Sequence, residues 1–137
     1  MSEISPKARL LATLHREVVD RPPVMYTGEM MNAAIVDVMN ESGTVLPAAH
    51  HDPDLMASLA AAIYNLTGFE NFGIPFCMTV EAEVLGSAIN FGTLECEPKI
   101  DREAFTSVST VEYTDRSTWR YAGRVPVVAH AVQLLAE

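Results

Sequence analysis

The sequence has little of what marks secreted, membrane or nucleic-acid-binding proteins. Only two of its 137 residues are cysteine, and they form no CxxC pair, so no disulfide framework is predicted. Basic residues are scarce, nine against eighteen acidic ones, and the formal net charge of -9 disfavours binding to nucleic acid or to an anionic membrane. Apolar runs are far shorter than the roughly 20 residues that cross a bilayer.

Several sequence motifs are also missing. The first residues lack a basic segment followed by an apolar one, so no secretory signal is predicted and we expect a cytoplasmic protein. The glycines form neither GxGxxG nor a P-loop, and no Gly-x-Ser-x-Gly elbow is present. With 49% hydrophobic and 20% charged residues, the chain has the composition of one globular domain, which we assign to residues 1–137.

Capping residues, prolines and apolar periodicity predict most of the chain to be helical. Aspartate before proline is a strong helix start, and glycine after the last apolar position is a common helix end. The predicted helices run from Ser5 to Val18, from Glu29 to Ser42, from Asp52 to Gly68, from Thr79 to Leu85 and from Gly123 to the end of the chain, with a short helix after Asp101.

Three short apolar runs between these helices predict strands. They are Val24–Tyr26, Phe69–Phe76 and Ala88–Phe91. Helices that alternate with strands are typical of α/β folds, in which the buried strands are parallel or mixed. The predicted fold class is therefore α/β, with no internal repeat and no linker.

Four segments together resemble a known family. Asp20–Val24, Leu46–Ala57, Gly68–Gly86 and Gly123–Val128 resemble the uroporphyrinogen decarboxylase superfamily, and the closer branch is that of the corrinoid-dependent methyltransferases of the methylcobalamin:coenzyme M methyltransferase kind. The resemblance covers nearly the whole chain. It implies a (β/α)8 TIM barrel, which takes about 250 residues. We therefore expect the amino-terminal half of such a barrel, with few parallel strands and covering helices.

The departures from the family pattern bear on chemistry. Methyltransferases of this branch bind zinc through a His-x-Cys pair and a later cysteine, all in their second half, and this chain contains no His-x-Cys. The resemblance thus implies zinc and a corrinoid for the complete fold and none bound by this chain alone. True decarboxylases carry an arginine-rich motif after the first strand and an aspartate after the second. Here residues Tyr26–Met30 include no arginine and Cys77 stands at the aspartate position, which disfavours decarboxylation by this chain alone.

Cys77 and Glu81 are candidate pocket residues. They are four residues apart, so they share a face if the segment is helical, and they follow a predicted strand where barrel enzymes place their chemistry. The alternative is a buried thiol of the core and a first-turn carboxylate that the helix dipole favours. Two such ligands are fewer than a zinc site takes, so no metal site is predicted.

The other pocket candidates are Glu29, Met30 and His50. Glu29 and Met30 follow the first predicted strand, and flexible methionines near strand ends line an adaptable pocket or simply fill the core. His50 matches a family position, yet a histidine next to His51 and before a helix start is also typical of turn structure. No catalytic residue is assigned.

These observations leave several functions open. The first is a truncated or split methyltransferase that moves a methyl group between a corrinoid protein and a thiol once a complementary barrel half is present. The alternatives are a role in porphyrin metabolism like that of uroporphyrinogen decarboxylase, or a non-catalytic oligomeric binding or assembly module. Half a barrel exposes strand edges and apolar helix faces, so a second copy or a partner is expected to cover them.

Overall fold

The computed structural model describes residues 4–26, 36–111 and 116–136. Within these ranges no helix is long and apolar enough to cross a bilayer. Short 3-10 turns span Ala48–His50, Val108–Thr110 and Arg116–Tyr121. The helices and strands are α1 (Pro6–Leu14), α2 (Val36–Ser42), α3 (Pro53–Thr67), α4 (Val80–Val84), β1 (Ala88–Asn90), β2 (Lys99–Arg102) and α5 (Val125–Ala136).

The predicted start and end of α3 are confirmed. The Asp52 carboxylate accepts hydrogen bonds from the backbone N–H groups of Asp54 and Leu55, at 2.9 and 3.1 Å, and so satisfies donors that the first helical turn leaves unpaired. Gly68 ends the helix with a φ of 79°, in the left-handed region that glycine adopts without strain. These local contacts explain why the sequence alone locates this helix.

Helix α3 lies at the centre of the packing. One face packs on α2 and the segment after it, in a core of Val38, Met39, Leu46, Ala49, Leu59 and Ile63. The other face presents Met56 and Ala57 to Ala131 of α5. A helix that is apolar on two sides is buried between its neighbours. Helix α3 therefore holds α2 and α5 in place through two separate contact surfaces.

The first two predicted strands are wrong. Val24–Tyr26 and Phe69–Phe76 are extended but form no ladder. They lie side by side, and the Glu70 N–H donates to the Val24 carbonyl at 2.8 Å. Beyond that point the Asn71 side chain both accepts from the N–H of Tyr26 and donates to its carbonyl. A side chain that pairs with these backbone groups replaces the ladder that two parallel strands would form.

The described sheet is a single antiparallel pair rather than the expected parallel one. β1 confirms the third predicted strand, and it pairs with β2 through Ile89–Ile100 and Asn90–Lys99. β2 lies where the sequence predicts turn structure before a short helix after Asp101, because pairing with β1 holds this segment extended, and a 3-10 turn follows at Val108–Thr110. All four of its residues are exposed, so it shows none of the apolar alternation that predicts a strand. The chain is a mixed helix–strand protein.

The first helix buries an arginine rather than its leucines. Arg9 is 1% exposed, while Leu11, Leu14 and Val18 are 46, 69 and 93% exposed. The helix ends at Leu14, before the predicted end at Val18. Carboxylates on the neighbouring segments draw the guanidinium inward, because a buried cation requires acceptors.

Candidate functional site

Four chain segments bring polar side chains together near one end of α3 and α5. Arg124 directly precedes α5, His50 lies just before α3, Cys77 lies just before α4, and Phe91 directly follows β1. The three polar residues are 3, 0 and 0% exposed. Buried polar groups of this kind are expected to have defined partners, so their hydrogen bonds decide what the cluster can do.

Arg124 is the centre of this cluster. Its Nε donates to Glu83 Oε2 at 2.7 Å, and its Nη2 donates to Cys77 Sγ at 3.1 Å and to Thr79 Oγ1 at 2.9 Å. The guanidinium carbon lies 4.8 Å from the centre of the Phe91 ring, a cation–π distance. These contacts fix the plane of the guanidinium. Its Nη1 has no hydrogen-bond partner among the described residues.

His50 lies beside the same aromatic ring, with ring centres 6.4 Å apart. Neither of its nitrogens has a hydrogen-bond partner in the described part of the chain. Burial, the charge of Arg124 and the charge of His51 lower the pKa of His50 to about 4. The imidazole is therefore neutral at pH 7, with one nitrogen as a donor and the other as an acceptor.

Cys77 places a buried thiol beside the cation. Its Sγ lies 2.7 Å from Thr79 Oγ1 and accepts from Arg124. A thiol held by a guanidinium and a hydroxyl is oriented more strictly than a thiol that merely fills apolar space. The second cysteine, Cys96, is exposed and lies outside this cluster.

The structure brings together two of the five predicted pocket residues, His50 and Cys77. Glu81 lies exposed on α4, and the helix begins only at Val80, so Cys77 and Glu81 do not share a helical face. Glu83, two residues further on, is the carboxylate that reaches Arg124. Glu29 and Met30 lie outside the described residues. No observation tests the functional role of these five residues, so each role stays a prediction.

Sequence reasoning missed Arg124. From the sequence, Gly123-Arg124-Val125-Pro126 is interpreted as a helix start and as part of the family resemblance, and Arg124 is given no role. The one signal in the sequence was a cation immediately before an apolar helix. A guanidinium in that position is either solvated or bound by acceptors from elsewhere in the chain. The partners that decide between the two lie 41 to 47 positions away, beyond any local pattern.

The described residues do not fit zinc or a corrinoid. No three histidine, cysteine, aspartate or glutamate side chains lie together as metal ligands within the described ranges, whereas protein zinc sites take three or four. Two cavities in the described part of the chain, of about 180 Å³ beside Leu46 and Cys96 and about 290 Å³ beside Val38 and Leu66, are below the roughly 300–1,000 Å³ of small-molecule pockets. No chemical step through either group is derived from this chain.

Comparison with known proteins gives consistent matches. The family model described as uroporphyrinogen decarboxylase (URO-D) matches residues 5–137. The methylcobamide:CoM methyltransferase MtaA of Methanosarcina barkeri is 34% identical over 142 residues, and the methylcobamide:CoM methyltransferase MtbA of Methanosarcina mazei is 36% identical over 141. A solved structure of a methyltransferase from Methanosarcina mazei is 35% identical and superposes with a TM-score of 0.77 over 97% of this chain.

These matches extend along the whole chain but over only part of each relative. All of this chain aligns with MtaA and MtbA, and it covers 39% of each of them. It covers 38% of the solved methyltransferase. What the relatives do as whole proteins therefore involves residues that this chain does not contain.

Proposed function

The chain belongs to the uroporphyrinogen decarboxylase family, and we propose that it forms the amino-terminal part of a barrel that transfers a methyl group from a corrinoid to a thiol. The observation that carries the proposal is the match, over 97% of this chain at 35% identity, to a solved methyltransferase. Two curated relatives are named for methyl transfer between a methylcobamide and CoM. The family is thus represented here by its methyltransferase branch.

The position of the buried cluster supports this proposal. Arg124 directly precedes α5, His50 and Cys77 lie three residues before the first residues of α3 and α4, and Cys77 follows the extended segment Phe69–Phe76. In α/β barrels the loops that follow strands and precede helices form the catalytic face. We therefore place the substrate-facing side of this chain at the cluster.

The proposal requires further polypeptide. The chain covers 39% of its curated relatives, so we propose that a complementary barrel segment completes the site and that a corrinoid protein docks there. Within the cluster, Arg124 would hold the thiol of Cys77 and the hydroxyl of Thr79 in fixed positions at the floor of the completed site.

A chimera tests this function. The 137 residues replace the aligned 142-residue segment of MtaA from Methanosarcina barkeri, and the loss of the methylcobalamin absorbance band is followed with a thiol acceptor. We expect turnover by the chimera and none by the isolated chain. A folded chimera that leaves methylcobalamin unchanged, while MtaA prepared in parallel consumes it, contradicts the proposal.

A non-catalytic assembly module is the second candidate. It is favoured by large apolar side chains at the surface, since Met78 is 69% exposed, Val132 52% and Phe72 47%. A contiguous patch of such groups marks a surface that another protein covers. This candidate predicts an oligomer by light scattering and a melting temperature that rises with protein concentration. A melting temperature that stays constant across a hundredfold dilution contradicts it.

A further inference from the structure

The cluster around Arg124 contains three buried nitrogens that the described residues leave without partners. They are Nη1 of Arg124 and both ring nitrogens of His50. Other polar atoms of the same cluster are paired at 2.7 to 3.1 Å. The groups that carry these nitrogens lie beside one aromatic ring, because the Arg124 guanidinium carbon is 4.8 Å and the His50 ring centre 6.4 Å from the centre of the Phe91 ring.

Packing alone does not account for this arrangement. A buried donor or acceptor without a partner costs about 1–3 kcal/mol, and native proteins satisfy such groups with protein, ordered water or ligand. Arg124 does not turn away to relieve the cost, because Glu83 and the Cys77–Thr79 pair fix its other two nitrogens. Its Nη1 therefore stays available in one direction.

The charges around these nitrogens define the ligand. The guanidinium is a permanent cation, which excludes a cationic ligand, and an apolar ligand would leave the N–H groups unpaired. Its one carboxylate partner, Glu83, binds at Nε, on the opposite edge from Nη1. A neutral His50 adds one further N–H donor. Two donors beside the same aromatic ring, one of them charged, match the two acceptor oxygens of a compact oxyanion.

We propose that Arg124 and His50 form a binding site for a small carboxylate anion, with Nη1 of Arg124 and one ring N–H of His50 as the donors. The site is independent of the proposed methyl transfer, because it requires only residues of this chain. It lies beside the thiol of Cys77, in the cluster where we place the substrate-facing side of the chain.

Thermal unfolding of the 137-residue chain tests the site at pH 7 with sodium acetate as the probe. Sodium chloride at equal ionic strength is the reference, because it reports general screening alone. With a dissociation constant of about 10 mM, about 100 mM acetate is expected to raise the melting temperature by roughly 3–5 °C. Formate, which carries the same two oxygens on a smaller body, is expected to act in the same way.

Two neighbouring histidines supply a matched pair of variants. His50→Leu removes the buried imidazole, while His51→Leu changes an exposed ring against the same Phe91. We expect His50→Leu to weaken acetate binding at least about fivefold, the loss of one good hydrogen bond, and His51→Leu to leave it unchanged. Arg124→Lys keeps the charge but loses the forked donor edge, so it should also weaken binding.

Three results would overturn the proposal. One is an equal effect of acetate and chloride on the wild-type chain, which would mean that ordered water satisfies these nitrogens. Another is an acetate effect that survives in His50→Leu, and the third is an acetate effect lost equally in His51→Leu. If the isolated chain unfolds without a cooperative transition, the same comparison in the MtaA chimera decides the matter.

Discussion

Two buried arginines organise this chain in opposite ways. Arg9 has every side-chain nitrogen engaged: Nε and Nη2 bind Asp20 at 2.8 and 2.9 Å, Nη1 binds Glu70 at 2.6 Å, and Nη2 also donates to the Ile4 carbonyl. Arg124 is buried to nearly the same degree, yet its Nη1 has no partner among the described residues. The two arginines are almost equally buried but differ in how completely their nitrogens are hydrogen-bonded. This difference separates a structural cluster around Arg9 from a functional candidate around Arg124.

The charges around Arg9 complete this contrast. The bidentate Arg9 guanidinium holds the pKa of Asp20 well below its usual range, despite an opposing contribution from burial. Glu70 joins Arg9 to the exposed Arg21 and also accepts from the Val24 N–H. This network ties α1 to the two extended segments and engages every side-chain nitrogen of Arg9. We infer that it stabilises the fold, whereas the Arg124 cluster contains buried nitrogens without hydrogen-bond partners among the described residues.

Replacing Arg9, whose side-chain nitrogens all form hydrogen bonds, is expected to have the largest effect. Arg9→Met leaves the Asp20 and Glu70 carboxylates without their main cation, and breaking a buried pair from one side is strongly destabilising. We expect the melting temperature to fall by more than about 10 °C. Arg21→Met is the matched control, because Arg21 contacts the same Glu70 from a side chain that is 46% exposed, and it should cost little. Equal losses in the two variants would contradict the structural role of Arg9.

Replacing Arg124, whose Nη1 has no partner among the described residues, is expected to reduce stability less. Arg124→Met frees Glu83, whose side chain is 23% exposed and can be hydrated, and it leaves Cys77 and Thr79 bonded to each other. It also removes the unpartnered Nη1. We expect the free energy of unfolding, measured by urea denaturation, to fall by about 2 kcal/mol. A loss as large as that of Arg9→Met would show that both arginines are structural.

The comparison also shows what local sequence predicts. The ends of α3 follow from Asp52 and Gly68, because a cap is made within three or four residues. The extended segments at Val24 and Glu70 lie 46 positions apart, and whether they form a ladder depends on a side chain, Asn71. Strand assignment fails here for that reason, and β2 was missed because its pairing with β1 leaves all four residues exposed.

The residues of the candidate site likewise differ in whether the sequence alone can indicate them. His50 and Cys77 are predicted as pocket candidates because their chemistry and family positions are visible in the sequence, and their roles stay predictions. Arg124 was not found, because what makes it unusual is the geometry of partners from three other segments. The resemblance located the correct half of the family fold, but it did not indicate which cation the buried thiol contacts.

Acid is expected to destabilise the chain through His50. The pKa of this ring is about 4 in the folded chain and 6.5 for an ordinary histidine, so between these values the unfolded chain binds a proton that the folded chain does not. The free energy of unfolding therefore falls as pH falls from 6.5 to 4. Because the folded chain and nearby water relax around a protonated ring, we expect about 2 kcal/mol.

Urea titrations across this pH range measure the effect. His50→Leu should flatten the pH dependence between pH 6.5 and 4, whereas His51→Leu should retain it. Asp20 destabilises in a different window, because its lowered pKa contributes stability above its ordinary value near 3.8 that is lost only as pH falls further. An unchanged slope in His50→Leu would mean that His50 is solvated and not the buried neutral ring of the proposed anion site.

The smallest expected effect discriminates between two carboxylates on one short helix. Glu83→Gln replaces a charged acceptor of Arg124 Nε with a neutral one, and we expect a loss of about 1 kcal/mol in urea denaturation. Glu81→Gln changes an exposed carboxylate of α4 and should stay within about 0.5 kcal/mol. Because both changes remove one charge from the same helix, net charge and helix dipole cancel in the comparison. The difference then isolates the Arg124 contact, and a larger loss in Glu81→Gln would place the functional carboxylate where the sequence alone predicted it.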